Sequence, residues 1–315
     1  MADRELQDSW RLYLLNWAPL LAMALILLVS LGVTDFSLKV ESLLMQGLGL
    51  AWLLTAVGHA FWRRGYPRLA FAFASSAQLE LSCLLAIPLS YVAASANLPL
   101  QDAAFARFDR WLGLDWQGYY DFVCARPALV PYFYIAYAMI SLPTFGVPIL
   151  LGLTGNFARL QRFTLACILT AVVTILASAL LPAIGTFQEY GIPADTPTFT
   201  ASGYLVQVDE IPAVRNGSLR ILSFETLTGI VTFPSFHAAA AVLALWACWG
   251  VWWMRPFALM AYGGMLLATP LVGGHYFADV FAGCGVAVLA IMAAKFTRER
   301  ASARIPVMTQ SAATA

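Results

Sequence analysis

Charged residues are scarce in this chain of 315 residues: 11% are Asp, Glu, Lys or Arg, whereas 61% are hydrophobic. Soluble domains carry about 25% charged residues. So little charge cannot cover a water-facing surface, which excludes a soluble globular protein. The formal net charge is only +1, so the chain also lacks the basic excess typical of nucleic-acid binding. The composition therefore indicates an integral membrane protein.

Cysteine and histidine are rare as well, with five Cys and three His. The cysteines are odd in number and scattered, so they form neither a disulfide framework nor a zinc spacing. The N-terminus carries Asp3, Glu5 and Asp8, whereas a cleavable signal peptide begins with basic residues. We therefore expect no cleaved signal peptide, no metal and no cofactor.

Eight apolar runs are candidates for membrane spans, since a span needs about 20 predominantly apolar residues. They are 12–32, 43–60, 69–94, 128–152, 160–182, 235–254, 257–273 and 275–295. These runs predict an all-α integral membrane fold with about eight transmembrane helices. The tail 296–315 is small and polar, which predicts disorder.

Eight spans would assign each loop and terminus to one side of the membrane, and Lys and Arg are distributed unequally between these two sides. Twelve of the 18 lie on the side of the two termini, although the other side has the two long connections, about 95–127 and 183–234. The positive-inside rule then predicts cytoplasmic termini and external long loops in an inner (plasma) membrane. Residues 102–120 mix acidic and aromatic residues, which indicates either an interfacial amphipathic helix or a structured loop.

Two histidines lie at outer helix ends in contexts that suit phosphate chemistry. His237 follows Pro234 and Ser235, which are typical of a helix start with free backbone N–H groups for an anion. His275 follows two glycines and has Asp279 at i+4, where the carboxylate can hold one ring nitrogen and leave the other as a nucleophile. We predict covalent phosphoryl transfer, in which one histidine attacks phosphorus and the other protonates the leaving oxygen.

Basic groups must hold the phosphate charge, and the candidates are Arg215 and Arg220, shortly before His237. Two other hypotheses stay open. His237, His275 and Asp279 could bind zinc, although a further ligand is missing. Alternatively, the chain could be a lipid transporter or scaffold that uses Glu80, an intramembrane carboxylate of the third span, and contacts headgroups through its histidines.

Four other polar or aromatic side chains lie at the ends of predicted spans. His59, at the cytoplasmic end of the second span, is interpreted as an interfacial residue. Tyr132, Tyr134 and Tyr137, at the outer end of the fourth span, could reach a headgroup, but we interpret them as an aromatic belt at the membrane surface.

The two histidine motifs resemble those of the type 2 phosphatidic acid phosphatase superfamily of lipid phosphatases and phosphotransferases. They read Pro234-Ser235-Phe236-His237 and His275-Tyr276-Phe277-Ala278-Asp279. The bulky Phe236 and the His-Tyr-x-x-Asp form are similar to the inositol phosphorylceramide synthase (inositolphosphotransferase) branch. The resemblance covers roughly 69–295 and implies a six-helix catalytic core there, with 1–68 as a two-helix N-terminal addition.

The resemblance also implies the roles of the site residues. His275 would be the nucleophile that forms a phosphohistidine, and Asp279 would orient it. His237 would be the acid for the leaving group and then the base for the acceptor, while Ser235 would hydrogen-bond the phosphate. The implied substrate is a phosphorylated membrane lipid, and the acceptor is water or an alcohol such as another lipid or a polyol. A plain phosphatase for phosphatidate or isoprenyl phosphate is the alternative.

The chain departs from the family pattern at three places. The motif of Lys followed six residues later by Arg-Pro is absent, because the Arg126-Pro127 pair lacks this Lys and lies in another loop. Gly273 and Gly274 stand where an Arg is expected before the nucleophile, and Phe236 stands in place of a glycine. All three departures favour the transferase branch and leave the phosphate to the two arginines before His237.

Overall fold

A computed structural model describes residues 2–193, 198–199 and 204–303, and the side chains of 5–296 within these ranges. The described part is almost entirely helical, with one pair of two-residue strands, β1 (Ser37–Leu38) and β2 (Ile221–Leu222). Its α-helices are α1 (Ala2–Leu15), α2 (Trp17–Val33), α3 (Ser42–Arg63), α4 (Pro67–Ala94), α5 (Asp102–Trp111), α6 (Trp116–Cys124), α7 (Val130–Ala138), α8 (Leu142–Leu153), α9 (Phe157–Leu180), α10 (Thr186–Glu189), α11 (Tyr204–Asn216), α12 (Phe236–Cys248), α13 (Arg255–Val272) and α14 (Phe277–Ala303).

Six helical segments of the described chain are long and apolar enough to cross a membrane: Glu5–Val33, Ser42–Arg63, Pro67–Ala94, Pro127–Leu153, Phe157–Leu180 and Phe277–Phe296. Large apolar side chains point away from the protein along these segments, such as Leu28 at 67% and Trp52 at 72% exposure. Such a surface is stable only against lipid. The all-helical membrane fold is confirmed. The count of eight spans stays a prediction, because α12 is shorter than a span and α13 is not among the six helical segments that meet the criteria of length and hydropathy.

Prolines shape the fourth of these segments. The segment Pro127–Leu153 is continuous in sequence, but a 3-10 turn at Met139–Ser141 separates α7 from α8. Pro143 follows this turn, and a proline ring clashes with the carbonyl four residues earlier, which breaks the α-helical hydrogen bonding there. The break leaves Tyr137 in the last turn of α7, close to the start of α12.

Small residues let the central helices approach closely. The buried alanines 238–241 of α12 lie in the main apolar core, and α12 packs against α9, α13 and α14. A Cβ on Gly283 of α14 would lie only 2.3 Å from the carbonyl oxygen of Ser235. Close backbone contact of this kind is how helices associate in membranes, where no hydrophobic force drives them together.

Residues 102–120, predicted to form either an amphipathic helix or a structured loop, form two helices, α5 and α6. Gly113, with φ of 74°, ends the first, and the side chain of Asp115 caps the second by accepting from the N–H of Gly118 at 2.9 Å. The exposed face of α5 combines the aromatic residues Phe108 and Trp111, the latter 78% exposed, with Arg107 and Arg110. The opposite face, which holds Asp102 and Asp109, is buried.

The parallel pair of β1 and β2 joins the loop after α2 to the connection that leads into α12. These two loops therefore lie at the same end of the bundle, as the alternation of spans predicts. At the opposite end, Trp10 stacks on Trp62 with ring centroids 4.3 Å apart. Which side of a membrane each end faces stays a prediction.

The division at residue 68 also stays a prediction. Helices α2 and α3 pack on α4, and α1 packs on α9, so the N-terminal pair of spans contacts the rest of the bundle directly. Helix α14 continues to Ala303, beyond residue 296 where the disordered tail was predicted to start. Residues 304–315 of that tail lie outside the described part of the chain.

Candidate active site

His275 lies in the turn between α13 and α14. Its Nδ1 is 3.3 Å from Oδ2 of Asp279, and the two side chains are 2% and 0% exposed. The same carboxylate oxygen accepts from the N–H of Tyr276 at 2.9 Å, so the turn itself holds the carboxylate in place. The contact expected from the i,i+4 spacing is therefore present. With Nδ1–H donated to Asp279, the lone pair of the imidazole is on Nε2.

Ser235 connects the second histidine motif to the first. It is the N-cap of α12, where its Oγ accepts from the N–H of Ala238 at 3.3 Å. Its own N–H donates to the backbone carbonyl of Asp279 at 3.0 Å. Gly283 allows this contact, because any Cβ there would collide with Ser235. The starts of α12 and α14, which lie more than 35 residues apart in the chain, are thus hydrogen-bonded to each other.

His237 is half-buried in the first turn of α12 and has an aromatic partner that the sequence did not predict. The ring of Tyr137 lies parallel to its imidazole, with centroids 3.9 Å apart and an interplanar angle of 12°. The Tyr137 hydroxyl is 3.2 Å from Nδ1 of His237. The Tyr137 side chain therefore packs against a site histidine, a contact that the aromatic-belt interpretation did not predict. Tyr132 on the same helix is 68% exposed, as a belt residue would be.

Gly273 brings the surroundings of the two histidines together. A Cβ at this position would lie 2.6 Å from Cδ2 of His275 and 2.8 Å from the hydroxyl oxygen of Tyr137. The next glycine, Gly274, has φ of 64° and packs against the ring of Tyr204. The sequence predicted that these glycines give a substrate room to approach. In the structure they let aromatic and histidine side chains pack closely.

Two buried carboxylates of α5 hold the segment that follows His275. Asp109 accepts from the N–H groups of Phe277 and Ala278, both at 2.8 Å, and is fully buried. Burial raises the pKa of Asp109, and these two amides oppose that rise by stabilising the carboxylate. Asp109 therefore already accepts the two N–H groups at the start of α14 that could otherwise bind an anion.

Asp102 is the second of these carboxylates. It accepts from the hydroxyl of Tyr276 at 2.9 Å and from the N–H of Gly185 at 2.8 Å. Neither Asp102 nor Asp109 was predicted as a site residue. Their spacing could have indicated a role. Asp102 and Asp109 are seven residues apart, which places them on one face of a helix, with the small residue Ala106 between them. Two carboxylates on one narrow face suggest that this face contacts polar groups.

The arginines predicted to hold phosphate lie at the end of α11 and in the loop after it. Nη1 of Arg220 donates to the carbonyls of Val214 at 2.7 Å and Leu219 at 3.0 Å, and its guanidinium lies over the ring of Phe36. Arg215 has a buried Nη1 with no hydrogen-bond partner among the described residues. No contact within the described chain joins either arginine to the histidines, so their phosphate-binding role stays a prediction.

The arrangement suits phosphoryl transfer on nitrogen. One buried imidazole has a carboxylate partner at Nδ1, which leaves the ring lone pair on Nε2, and a second imidazole lies at the start of the neighbouring helix. Among the described residues, no group of three His, Cys, Asp or Glu side chains is placed to share a metal ion.

A family model described as PAP2 superfamily matches residues 103–293, which is more than half of the chain. The chain belongs to the PAP2 superfamily. A search of curated proteins and a search of solved structures found no match. The PAP2 match begins within α5, later than the predicted core start at 69, and includes both histidine motifs. Membership of the PAP2 superfamily indicates a membrane enzyme of the phosphatase or phosphotransferase class.

Proposed function

We propose that this protein is a membrane lipid phosphotransferase or phosphatase that works through a phosphohistidine on His275. One observation carries the proposal. The hydrogen bond from Ser235 N–H to the Asp279 carbonyl joins the starts of α12 and α14, and each of these helix starts presents one histidine. A nucleophile and a proton donor on adjacent, rigidly joined helix ends are what a double displacement at phosphorus needs.

In the first step, Nε2 of His275 attacks the phosphorus of a phosphorylated lipid. A P–N bond forms while the bond from phosphorus to the leaving oxygen breaks, and protonated His237 gives its proton to that oxygen. The phosphorylated imidazole keeps its proton on Nδ1, and the Asp279 carboxylate 3.3 Å away stabilises the positive charge that develops on the ring. Ser235, Arg215 and Arg220 are the proposed phosphate ligands.

In the second step, an acceptor hydroxyl attacks the phosphorus and the P–N bond breaks. His237, now neutral, takes the proton of the acceptor and returns to its starting state. Water as acceptor gives a phosphatase, and an alcohol such as another lipid or a polyol gives a transferase. The three departures from the family pattern favour the alcohol, as in the inositolphosphotransferase-like branch.

An apolar groove next to the site supports a lipid as the substrate. It has a volume of about 560 Å³ and is lined by Phe105 and Phe108 of α5, Phe233 before α12 and Phe281 of α14. Ala278, which also lines the groove, precedes Asp279 in the chain. A hydrocarbon chain in this groove would place its phosphorylated end near the first turn of α14.

The distribution of Lys and Arg supports a location in the inner (plasma) membrane with cytoplasmic termini. In that orientation the ends of the helices that contain His237 and His275 face the periplasm or the extracellular space. Trp111→Cys in intact cells tests this orientation. A membrane-impermeant thiol reagent added outside should label the introduced cysteine if this end of the bundle faces outward, and should leave it unlabelled if this end faces the cytoplasm.

The experiment is an incubation of the purified protein with labelled phospholipids and lipid phosphates, reading released phosphate against new phospholipid. His275→Ala is expected to abolish both products and to prevent the trapping of labelled phosphate on the protein. His59→Ala is the control, because His59 is exposed on α3 near the opposite end of the bundle. Turnover by the His275→Ala protein, or loss of activity in the control, would overturn the proposal.

A further inference from the structure

We infer that the end of the bundle opposite the histidines binds the headgroup of an anionic phospholipid. The binding surface, called the cation–indole surface, is formed by Arg159, Arg255, Lys295, Trp246 and Trp249. It is separate from the candidate active site, because His237 lies in the first turn of α12 and both tryptophans lie at the other end of this helix. Helix α12 has 13 residues and rises about 1.5 Å per residue, which separates its two ends by about 20 Å. Lipid binding here does not depend on phosphoryl transfer.

The two arginines of the cation–indole surface are held by the end of α12. The last carbonyls of a helix have no partner within the helix and attract cations. Nη1 of Arg159 donates to the carbonyl of Trp246, and Nε of Arg255 donates to the carbonyl of Trp249 at 3.1 Å. Gly250 leaves space for the first of these contacts, because a Cβ there would lie 2.7 Å from Nε of Arg159. Both guanidinium groups are therefore fixed on the protein.

Two indole rings lie against these cations. The guanidinium carbon of Arg159 is 4.8 Å from the centre of the Trp246 ring, and that of Arg255 is 5.3 Å from the centre of the Trp249 ring. Nζ of Lys295 is 5.9 Å from the centre of the same Trp246 ring, so it lies on the same indole as Arg159. A guanidinium on an aromatic ring uses its flat face and keeps its remaining in-plane N–H groups for an oxygen anion. Arg255 and Lys295 are exposed, so their donors can reach a phosphate.

No carboxylate of the described residues pairs with these three cations. The ion pairs in the described part of the chain are Lys39–Glu41 and His275–Asp279, and neither lies at this end of α12. Hydrogen bonds from Arg or Lys to phosphate are charge-assisted and about twice as strong as neutral ones. Three cations around the end of one helix therefore form a site for a phosphate, and a headgroup without a cation of its own fits it best.

Exposed apolar residues next to the cation–indole surface favour a lipid over a soluble anion. The 3-10 turn Trp252–Met254 connects α12 to α13, and Trp252 is 75% exposed. Phe257 and Met260 follow as exposed side chains of α13. Tryptophan at a helix end lies at headgroup depth in a membrane, and the apolar side chains beyond it face the acyl chains. A phospholipid can therefore place its phosphate on the cations and its chains along α13.

Lys295→Gln in the full-length protein tests this surface, because it removes one exposed charge and leaves the arginine contacts with α12 in place. Native mass spectrometry measures Kd for dioleoylphosphatidylglycerol, which is anionic, and for dioleoylphosphatidylcholine, which is zwitterionic. One Lys or Arg near an anionic membrane surface is worth about fivefold in binding. We expect Kd for phosphatidylglycerol to rise about fivefold in Lys295→Gln and about 25-fold when Arg255→Gln is added. Kd for phosphatidylcholine should not change.

Arg64→Gln is the matched control, because Arg64 is also exposed and follows α3 at the same end of the bundle. It should bind phosphatidylglycerol like the wild type. Equal losses in Arg64→Gln and Lys295→Gln would show a general attraction to positive charge and would overturn the site. An unchanged Kd in the double variant would overturn it too. Competition by glycerol 3-phosphate, which has no acyl chains, at the same concentration as the lipid would show that a soluble phosphate is the ligand.

His275→Ala separates this binding from the proposed function. It should bind phosphatidylglycerol like the wild type, because His275 is at the other end of the bundle. If it loses as much affinity as the double variant, the lipid binds at the histidines and the cation–indole surface is not the site. Size-exclusion chromatography and the apparent Tm in detergent check the folding of each variant. If the double variant does not fold, the comparison of Lys295→Gln with Arg64→Gln decides.

Discussion

Asp109→Ala should loosen the start of α14, although Asp109 is outside both histidine motifs. The Asp109 carboxylate is the acceptor for two backbone amides, the partly buried one of Phe277 and the buried one of Ala278. Leaving a buried donor without its acceptor costs about 1–3 kcal/mol, so Asp109→Ala should cost on the order of 2–6 kcal/mol of stability. Asp109→Asn keeps one acceptor oxygen and should cost about half as much.

The effect on activity follows from position rather than from contact with substrate. The two amides lie two and three residues after His275, so their release allows the nucleophile to shift. A displacement of about 1 Å can cost about 100-fold in rate. We expect the fall in kcat to be larger than the rise in KM. The value of kcat should be lowest for Asp109→Ala, intermediate for Asp109→Asn and highest for the wild type. The apparent Tm in detergent and steady-state kinetics on a lipid phosphate measure the two effects.

The control for this prediction is Asp121→Ala on α6. Asp121 is exposed and accepts only from Gln117, so its loss should change stability by less than about 0.5 kcal/mol. If Asp109→Ala behaves like Asp121→Ala in both assays, Asp109 does not hold the start of α14 and the reasoning is wrong.

Three further predictions test the packing and the ligands of the site. Gly283→Ala should lower both the apparent Tm and the activity, because its Cβ would lie 2.3 Å from the Ser235 carbonyl oxygen. Gly285→Ala is the control. A Cβ at position 285 would have no atom within 4 Å, so this variant should resemble the wild type in the same assays. Arg215→Ala should raise KM for lipid phosphate about tenfold to a hundredfold, the worth of one hydrogen bond to a charged group. Arg220→Ala should raise KM as well and should also lower the apparent Tm, because its Nη1 donates to carbonyls of its own loop. An unchanged KM in either variant would contradict the assignment of that arginine as a phosphate ligand. Activity should survive EDTA, and loss that is restored by added zinc would instead support a metal site.

The membrane class and most of the helices could be predicted from composition and hydropathy, because a lipid-facing surface requires apolar residues along the whole length of a span. The pairing of His275 with Asp279 was equally predictable, since it depends only on the i,i+4 geometry of one turn. The helical character of 102–120 was visible in its pattern. Its break at Gly113 and its inward acidic face were not, because they depend on what packs against α5.

The amino-acid sequence by itself determined that this protein is a helical membrane protein with two histidine motifs suited to phosphate chemistry, since hydropathy and local spacing act within one element. The partners of those motifs were decided only by the tertiary structure. Tyr137 meets His237 across 100 residues, and Asp109 meets Phe277 across 168. Such contacts depend on which helices are neighbours and how closely they pack, and small residues such as Gly273 and Gly283 set those distances by lacking a side chain.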